Sequence, residues 1–224
     1  AYDSSLGLVG SEMCIRDSLR TLCQNKQVNI AYVCDVDEHR SAKARATVEK
    51  AKSKAPKLVG DMRRIFEDKD VDAVWIATPD HWHAPATILA CDAGKHVYVE
   101  KPASHNLREG RLMIEAARRN KRVVQVGTQT RSSKGIREAM ELLAEGAIGE
   151  ILVAKAWNSQ RRSSIGKSKP DTPPAHLDFD TWLGPAPKVK FRPNMLHGIW
   201  RWWHDLSLIH ISEPTRPRLI SYAV

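Results

Sequence analysis

From residue 28 onward, short apolar runs alternate with longer stretches in which apolar residues recur at helical spacing. Val28 to Cys34 (VNIAYVC) reads as a strand from its β-branched and aromatic content, and a helix follows through Val48 and Ala51. The same reading predicts a short strand at Lys57 to Val59 and a helix over Met62 to Phe66. Next come a buried strand at Ala73 to Ala77 (AVWIA) and a helix over Pro85 to Asp92, with Gly94 as its C-cap. His96 to Val99 is a strand, Leu107 to Arg119 a helix, Val123 to Val126 a strand and Ile136 to Leu143 a helix. Strands separated by helices of this length bury themselves best as a parallel sheet covered on both faces. The expected fold class is therefore α/β, a Rossmann-type doubly wound parallel sheet.

From Gly149 the pattern changes. Glu150 to Trp157 (EILVAKAW) predicts a longer strand, and Arg161 to Pro174 a polar loop. A second domain is expected to begin here, the start of a truncated α+β substrate domain. Trp182, Trp200, Trp202 and Trp203 crowd its end, as core or interface residues or as a wall facing a sugar.

Both termini invite a coding argument. Ser11 to Ser18 (SEMCIRDS) can be encoded by TCG GAG ATG TGT ATA AGA GAC AG, a string resembling a transposon end used in sequencing libraries. Its reverse complement, read in another frame, encodes LSLIHISE, which is Leu206 to Glu213. One inverted DNA sequence accounts for both flanks, and such scars are set aside in fold reasoning. The expected organisation is a foreign flank over 1–18, a dinucleotide-binding domain over 19–148, a partial substrate domain over 149–205 and a second flank over 206–224. On this reading the first strand of the sheet and its glycine turn are missing, and Gly7 and Gly10 do not replace them.

Composition narrows the function classes. Hydrophobic residues make up 42% and charged residues 27%, which is ordinary for a globular domain and excludes disorder. No apolar run reaches the roughly 18 residues of a membrane span. The net charge of +9 invites an anionic partner, but the Lys and Arg residues are spread along stretches such as 40–54 and 108–122 without a nucleic-acid motif. Neither nucleic acid nor membrane is expected as a partner. Cys14, Cys23, Cys34 and Cys91 have no metal or redox spacing. With no export signal at the start, the expected location is cytoplasmic.

Three segments carry candidate chemistry. Asp35 ends the first predicted strand in CDVD, where a dinucleotide fold places a carboxylate on the adenosine ribose, and where a helix N-cap would also stand. Ala77 to His83 (ATPDHWH) ends the AVWIA strand in a turn able to present backbone N–H groups and a hydroxyl to a cofactor. Two histidines at i and i+2 do not make a helical metal pair, so no metal is expected there. Glu100-Lys101-Pro102 ends the HVYV strand, and a lysine buried there beside a cationic ring would exchange protons readily.

Together these segments resemble the Gfo/Idh/MocA oxidoreductase family, named for glucose-fructose oxidoreductase and inositol dehydrogenase. The resemblance rests on CDVD at 34–37, ATPDHWH at 77–83, VYVEKP at 97–102, VGTQTR at 126–131, GAIGEI at 146–151, FDTWLGPAP at 179–187 and IWRWWHD at 199–205. It implies hydride transfer between a sugar or inositol-like alcohol and NAD. Asp35 disfavours the 2′-phosphate of NADP, which Arg40 could still accommodate. It further implies Lys101 as the acid/base, with Thr78, Pro79, His81, His83, Glu100, Pro102 and Gln129 around the cofactor. Arg131, Trp157, Arg201 and Trp202 would approach the substrate. A homo-oligomer is expected of the intact protein. The chain itself is expected to be an inactive fragment, since the family's glycine turn and its downstream Asp and His do not appear. The alternatives are an NAD-dependent glycosidase of the same fold and a non-catalytic dinucleotide-binding module.

Overall fold

In a computed structural model of the chain, residues 4–10, 15–52, 54–155 and 164–207 are described. The α/β unit runs β1 (Ser4–Val9), α1 (Ile15–Gln24), β2 (Val28–Cys34), α2 (Glu38–Lys52), β3 (Lys57–Val59), α3 (Arg63–Glu67), β4 (Ala73–Ile76), α4 (Asp80–Asp92), β5 (His96–Glu100), α5 (Leu107–Arg119) and β6 (Val124–Gly127). The strands form one sheet in the order β3-β2-β1-β4-β5-β6, with every pairing parallel. The order reverses between β1 and β4, the kind of point at which open α/β sheets bind ligands. Leu8, Leu19, Val33, Ala44 and Val48 form a core on one face, under α1 and α2. Ile65, Val74, Ile76, Ala84, Val97, Val99 and Met113 form another beneath α3, α4 and α5. Among the described residues, no helix is long and apolar enough to cross a membrane.

The first strand is present, contrary to the expectation from coding. Ser4–Val9 lies between β2 and β4, and Leu6, Leu8 and Val9 are buried. The physical reason is independent of how the DNA arose. A short apolar strand ahead of a helix and β2 is what the central slot requires, and SSLGLV supplies it. Burying each of these side chains favours the fold by about 1.5–3 kcal/mol. Gly7 is needed for the fit, because a Cβ there would stand 2.3 Å from Cγ2 of Ile65 on α3.

Two other boundaries differ from expectation. Helix α4 begins at Asp80, five residues before Pro85, and carries that proline inside it. Pro79 stands at the N-cap with extended ψ, a conformation that starts a helix well, and Asp80 occupies the first turn. Gly94 (φ +80°) does follow the helix as expected, and the N–H of Lys95 bonds back to the carbonyl of Ala90. The predicted strand at Glu150 to Trp157 is not a strand over its described part: 151–155 makes no ladder and Ile151, Leu152 and Val153 are exposed. A strand needs a neighbour to pair with, and among the described residues none lies alongside. Helix α6 (Lys134–Ala144) likewise buries none of its residues.

Residues 164–207 form a compact cap with one short helix, α7 (Phe179–Leu183). Its core joins Leu177, Phe179, Trp182, Leu183, Phe191, Met195, Trp200 and Leu206, with Val36 packed against it. Trp182 and Trp200 are thus core residues. Helix α4 holds this cap in place. Trp82 Nε1 donates to the carbonyls of Thr181 and Trp182, each at 3.1 Å. His81 Nε2 lies 3.0 Å from the Trp182 carbonyl oxygen and its Nδ1 3.5 Å from that of Leu206. Ser207 Oγ donates to Asp80 Oδ2 at 3.0 Å. Leu206 and Ser207, from the downstream flank set aside on coding grounds, are therefore buried parts of the cap.

Gly184 (φ +47°) lies so close to the Trp82 indole that a Cβ would stand 2.0 Å from Cζ2. Gly184→Ala is expected to destabilise the chain by about 1–3 kcal/mol through overpacking, read as a lower denaturation midpoint. Burial pushes the His81 pKa down, against the opposing pull of the Trp182 and Leu206 carbonyls. The unfolded chain therefore binds a proton at a pH where folded His81 does not. This contribution to stability is full above about pH 6.5 and falls as the pH drops toward the folded pKa. Urea unfolding at several pH values should show that slope, and His81→Asn should flatten it.

Candidate functional site

A cleft of about 260 Å3 opens at the carboxyl ends of β1, β2 and β4, beside the reversal in strand order. Its inner wall comes from Val9, Gly10, Cys34, Asp35, Thr78 and Pro79, and its outer wall from Trp82, Thr181, Trp182 and His197. Gly10 turns the chain out of β1 at φ +83°, with its N–H bonded to the Cys34 carbonyl at 2.8 Å. A Cβ at Gly10 would stand 2.6 Å from the Ala77 carbonyl oxygen and 2.8 Å from the Thr78 nitrogen. Only glycine combines that φ with so close an approach of two strand ends.

Of the two roles that the sequence left open for Asp35, the helix cap falls to Asp37. Asp37 caps helix α2, since its Oδ1 accepts from the N–H groups of His39 at 2.9 Å and Arg40 at 3.2 Å. Asp35 instead accepts from the Asp37 N–H at 2.9 Å through Oδ1 and lines the cleft, with Arg40 nearby on the same wall. The Cys34 thiol beneath is pushed far up by burial, and further by the charges of Asp35 and Asp61, so it stays a neutral thiol. Thr78 Oγ1 is buried and has no hydrogen-bond partner within the described structure. Leaving such a hydroxyl unpaired costs about 1–3 kcal/mol.

His83 and His81 stand close to the cleft but face protein. His83 is buried, with Nε2 2.9 Å from the Thr78 carbonyl oxygen and Nδ1 2.6 Å from that of Pro102. It ties the turn after β4 to the turn after β5. The ring nitrogens of His81 face the cap, as described above.

The structure brings Asp35, Arg40, Thr78 and Pro79 into one cleft and leaves the β5 group outside it. Lys101 follows β5 at the same edge of the sheet, joined to Pro102 by a cis peptide bond, and is exposed. The burial expected of it is not found. Glu100 is buried, and a Cβ on Gly127 of β6 would stand 3.0 Å from its Oε2. It therefore packs between the last two strands. Gln129 opens a 3-10 turn (Gln129–Ser132) after β6, and Arg131 on that turn is exposed. Arg201 stacks its guanidinium over Trp200 at 4.3 Å in another 3-10 turn (Ile199–Trp202), where Trp202 is half-buried. Trp157 lies outside the described residues. The expected substrate residues are thus not gathered at the cleft.

Sequence reasoning set Gly10 aside with the upstream flank and missed Trp82 and His197 as lining residues. The glycine spacing in GLVG was a usable signal for the first. Nothing local marks His197, which reaches the cleft across the fold.

Comparison with known proteins agrees with this geometry. Residues 5–128 match the Gfo/Idh/MocA family model, described as an oxidoreductase family with an NAD-binding Rossmann fold. Inositol 2-dehydrogenase of Salmonella paratyphi B is 34% identical over 149 residues, 66% of this chain and 43% of the relative. Levoglucosan dehydrogenase of Pseudarthrobacter phenanthrenivorans is 39% identical over 92 residues, 41% of this chain and 24% of that enzyme. The chain therefore spans less than half the length of these relatives. Among solved structures, myo-inositol 2-dehydrogenase from Lactobacillus plantarum shares the fold with a TM-score of 0.60 at 21% identity, over 66% of this chain and 42% of that one. A 3-ketoreductase from Actinomadura kijaniata, solved with NADP and TDP-benzene, also gives a TM-score of 0.60, at 22% identity over 66% of this chain and 44% of that one. The match begins at residue 5, inside β1, and takes in the strand order, the glycine at the end of β1 and the Asp35 and Thr78 walls. This chain belongs to the Gfo/Idh/MocA family of NAD-binding oxidoreductases.

Proposed function

We propose that the whole protein oxidises a secondary alcohol of a sugar or polyol, with NAD as the acceptor, and that the chain described above carries the cofactor-binding part of the site. The observation that carries this reading is the cleft at the strand reversal, where Gly10, Asp35 and Thr78 meet. Two features there fit a dinucleotide. Gly10 leaves a cradle that any side chain would fill, and the buried Thr78 Oγ1 is a polar atom that a bound ligand could satisfy. The Asp35 carboxylate at the end of β2 would accept from ribose hydroxyls, and its charge would repel a 2′-phosphate. Arg40 on the same wall softens that repulsion, which keeps NADP within reach.

When bound, the nicotinamide supplies the hydride acceptor that no side chain can provide. Losing a hydride from the carbinol carbon without losing the hydroxyl proton would leave a costly cation, so a base must take that proton as the C–H bond breaks. We assign this to Lys101 Nζ, which returns the proton in the reverse direction. His83 fixes the place of Lys101 by holding the Pro102 carbonyl against the Thr78 turn. Glu100, Pro102 and Gln129 shape the neighbouring edge, and Arg131, Trp157, Arg201 and Trp202 are the proposed substrate contacts. The unpaired thiols of Cys23, Cys34 and Cys91 support a reducing compartment, and the exposed apolar side chains of α6 are compatible with a homo-oligomer.

The exposure of Lys101 favours a second reading for the chain taken alone, as a dinucleotide-binding unit without turnover. The two separate by assay, because that unit would bind NAD and leave polyols unoxidised at any cofactor concentration.

Asp35→Asn is expected to weaken NAD binding roughly 10–100-fold, as befits loss of hydrogen bonds to a charged acceptor, and to narrow the preference over NADP. Isothermal titration of both cofactors checks this, and equal affinities before and after the change would refute the ribose role. In the full-length protein, Lys101→Met should lower kcat roughly 10²–10⁴-fold with NAD affinity retained. Unchanged turnover would reject Lys101 as the base.

A further inference from the structure

On the outer rim of the cleft, histidines from three separate parts of the chain gather around one carboxylate. Asp37 Oδ2 lies 3.3 Å from His197 Nε2 and 3.8 Å from His176 Nε2. The side chain of Asp37 is only 4% exposed, while those of His176 and His197 are 30% and 40% exposed, so the group is anchored from inside and open on one side. His39 stacks on His176 with ring centroids 3.9 Å apart. Ligand atoms of Asp37, His39 and His176 all lie within 4.8 Å of one another.

We propose that Asp37, His39 and His176 bind a divalent first-row transition ion, Zn²⁺ being the natural probe, with His197, beside Asp37 Oδ2, turning in as a further ligand. Four observations support this. First, the two oxygens of Asp37 have separate tasks. Oδ1 caps α2, and Oδ2 faces the histidines. Second, a tetrahedral ion with bonds of about 2.0–2.1 Å holds its ligand atoms about 3.3 Å apart, close to the 3.3 Å and 3.8 Å that separate Asp37 Oδ2 from His197 Nε2 and His176 Nε2. Third, imidazole and carboxylate together form a donor set of borderline softness that suits zinc and its neighbours. Fourth, the backbone is bent to present His197, which has φ +54° and is followed by Gly198 at φ +98°. A non-glycine residue held in that region marks a local conformation imposed by its surroundings.

The site would join the start of α2 to the cap at two points. The isolated antiparallel bridge between Asp37 and Leu177 and the bond from the Glu38 N–H to the His176 carbonyl already align the two segments. An ion there would fix the rim next to Asp35 without contacting Lys101, and so would act as a structural clamp on the cofactor cleft. It calls on none of the residues given a role in the reaction proposed above.

The test uses the full chain, free of any histidine tag, titrated with Zn²⁺ by calorimetry and with Co²⁺ by visible absorption. One ion per chain and the intense absorption of tetrahedral Co²⁺ are expected. Outer partners of metal ligands are themselves worth about 10–100-fold in affinity. His176→Gln or His197→Gln, which remove direct ligands, should therefore weaken binding by roughly 100-fold or more. His204→Gln, on an exposed histidine that pairs with Asp205 outside the cluster, should leave it unchanged. Circular dichroism of each variant confirms that the fold persists, and Asp37→Asn, which keeps an acceptor for the α2 cap, gives an independent loss of affinity. Binding that is weak, of variable stoichiometry or unaffected by the His176 and His197 changes would mean adventitious metal only and would overturn the proposal.

Discussion

The architecture turns on one insertion, that of Leu6, Gly7, Leu8 and Val9 between β2 and β4. A parallel sheet cannot skip its central strand, because β2 and β4 would then each present an unpaired ladder in the middle of the core. The inserted segment meets both demands. Its side chains fill the two cores on either face of the sheet, and its glycines let α3 approach at one end and the Ala77–Thr78 turn at the other. The cleft follows directly. Its inner wall is where Gly10, Asp35 and Thr78 emerge from adjacent strands, and its position is fixed by the strand order.

Helix α4 carries this order outward. Its first turn turns successive side chains to different partners: Asp80, His81 and Trp82 hold the cap, while His83 bridges the turns after β4 and β5. A run that reads as a cofactor motif is therefore mostly a structural joint, and Thr78 and Pro79 before it are what line the cleft. This division explains how so short a segment can position both walls of a site. Thr78 and Pro79 alone of the segment's first residues, with Trp82, face the cleft.

Much of the α/β unit was legible in the residues, because its strands are buried on both faces and read as short apolar runs between helical stretches. Asp35, Thr78 and Pro79 were legible for the same reason, since each stands at or just beyond a strand end, and Arg40 follows in the first turn of α2. The first strand is the exception, since the coding resemblance of the flank says nothing about packing. SSLGLV satisfies the slot whatever its coding origin. The start of α4 was misplaced because Pro85 looked like a boundary, although Pro79 and Asp80 supply a better one. The described part of EILVAKAW, 150–155, is no strand, because apolar and β-branched residues cannot supply a pairing partner. Long-range features were beyond reach: neither the approach of His176 and His197 to Asp37 nor the contact of Gly184 with Trp82 leaves a local trace.

The most direct measurement is amide hydrogen exchange along Ser4 to Gly10, compared with β4. If this segment is the central strand, the amides of Leu6, Leu8 and Gly10 should exchange as slowly as those of Val74 and Ile76 and open only with the whole sheet. Exchange at the rate of an unstructured chain, with β4 still protected, would contradict the insertion and with it the inner wall of the cleft.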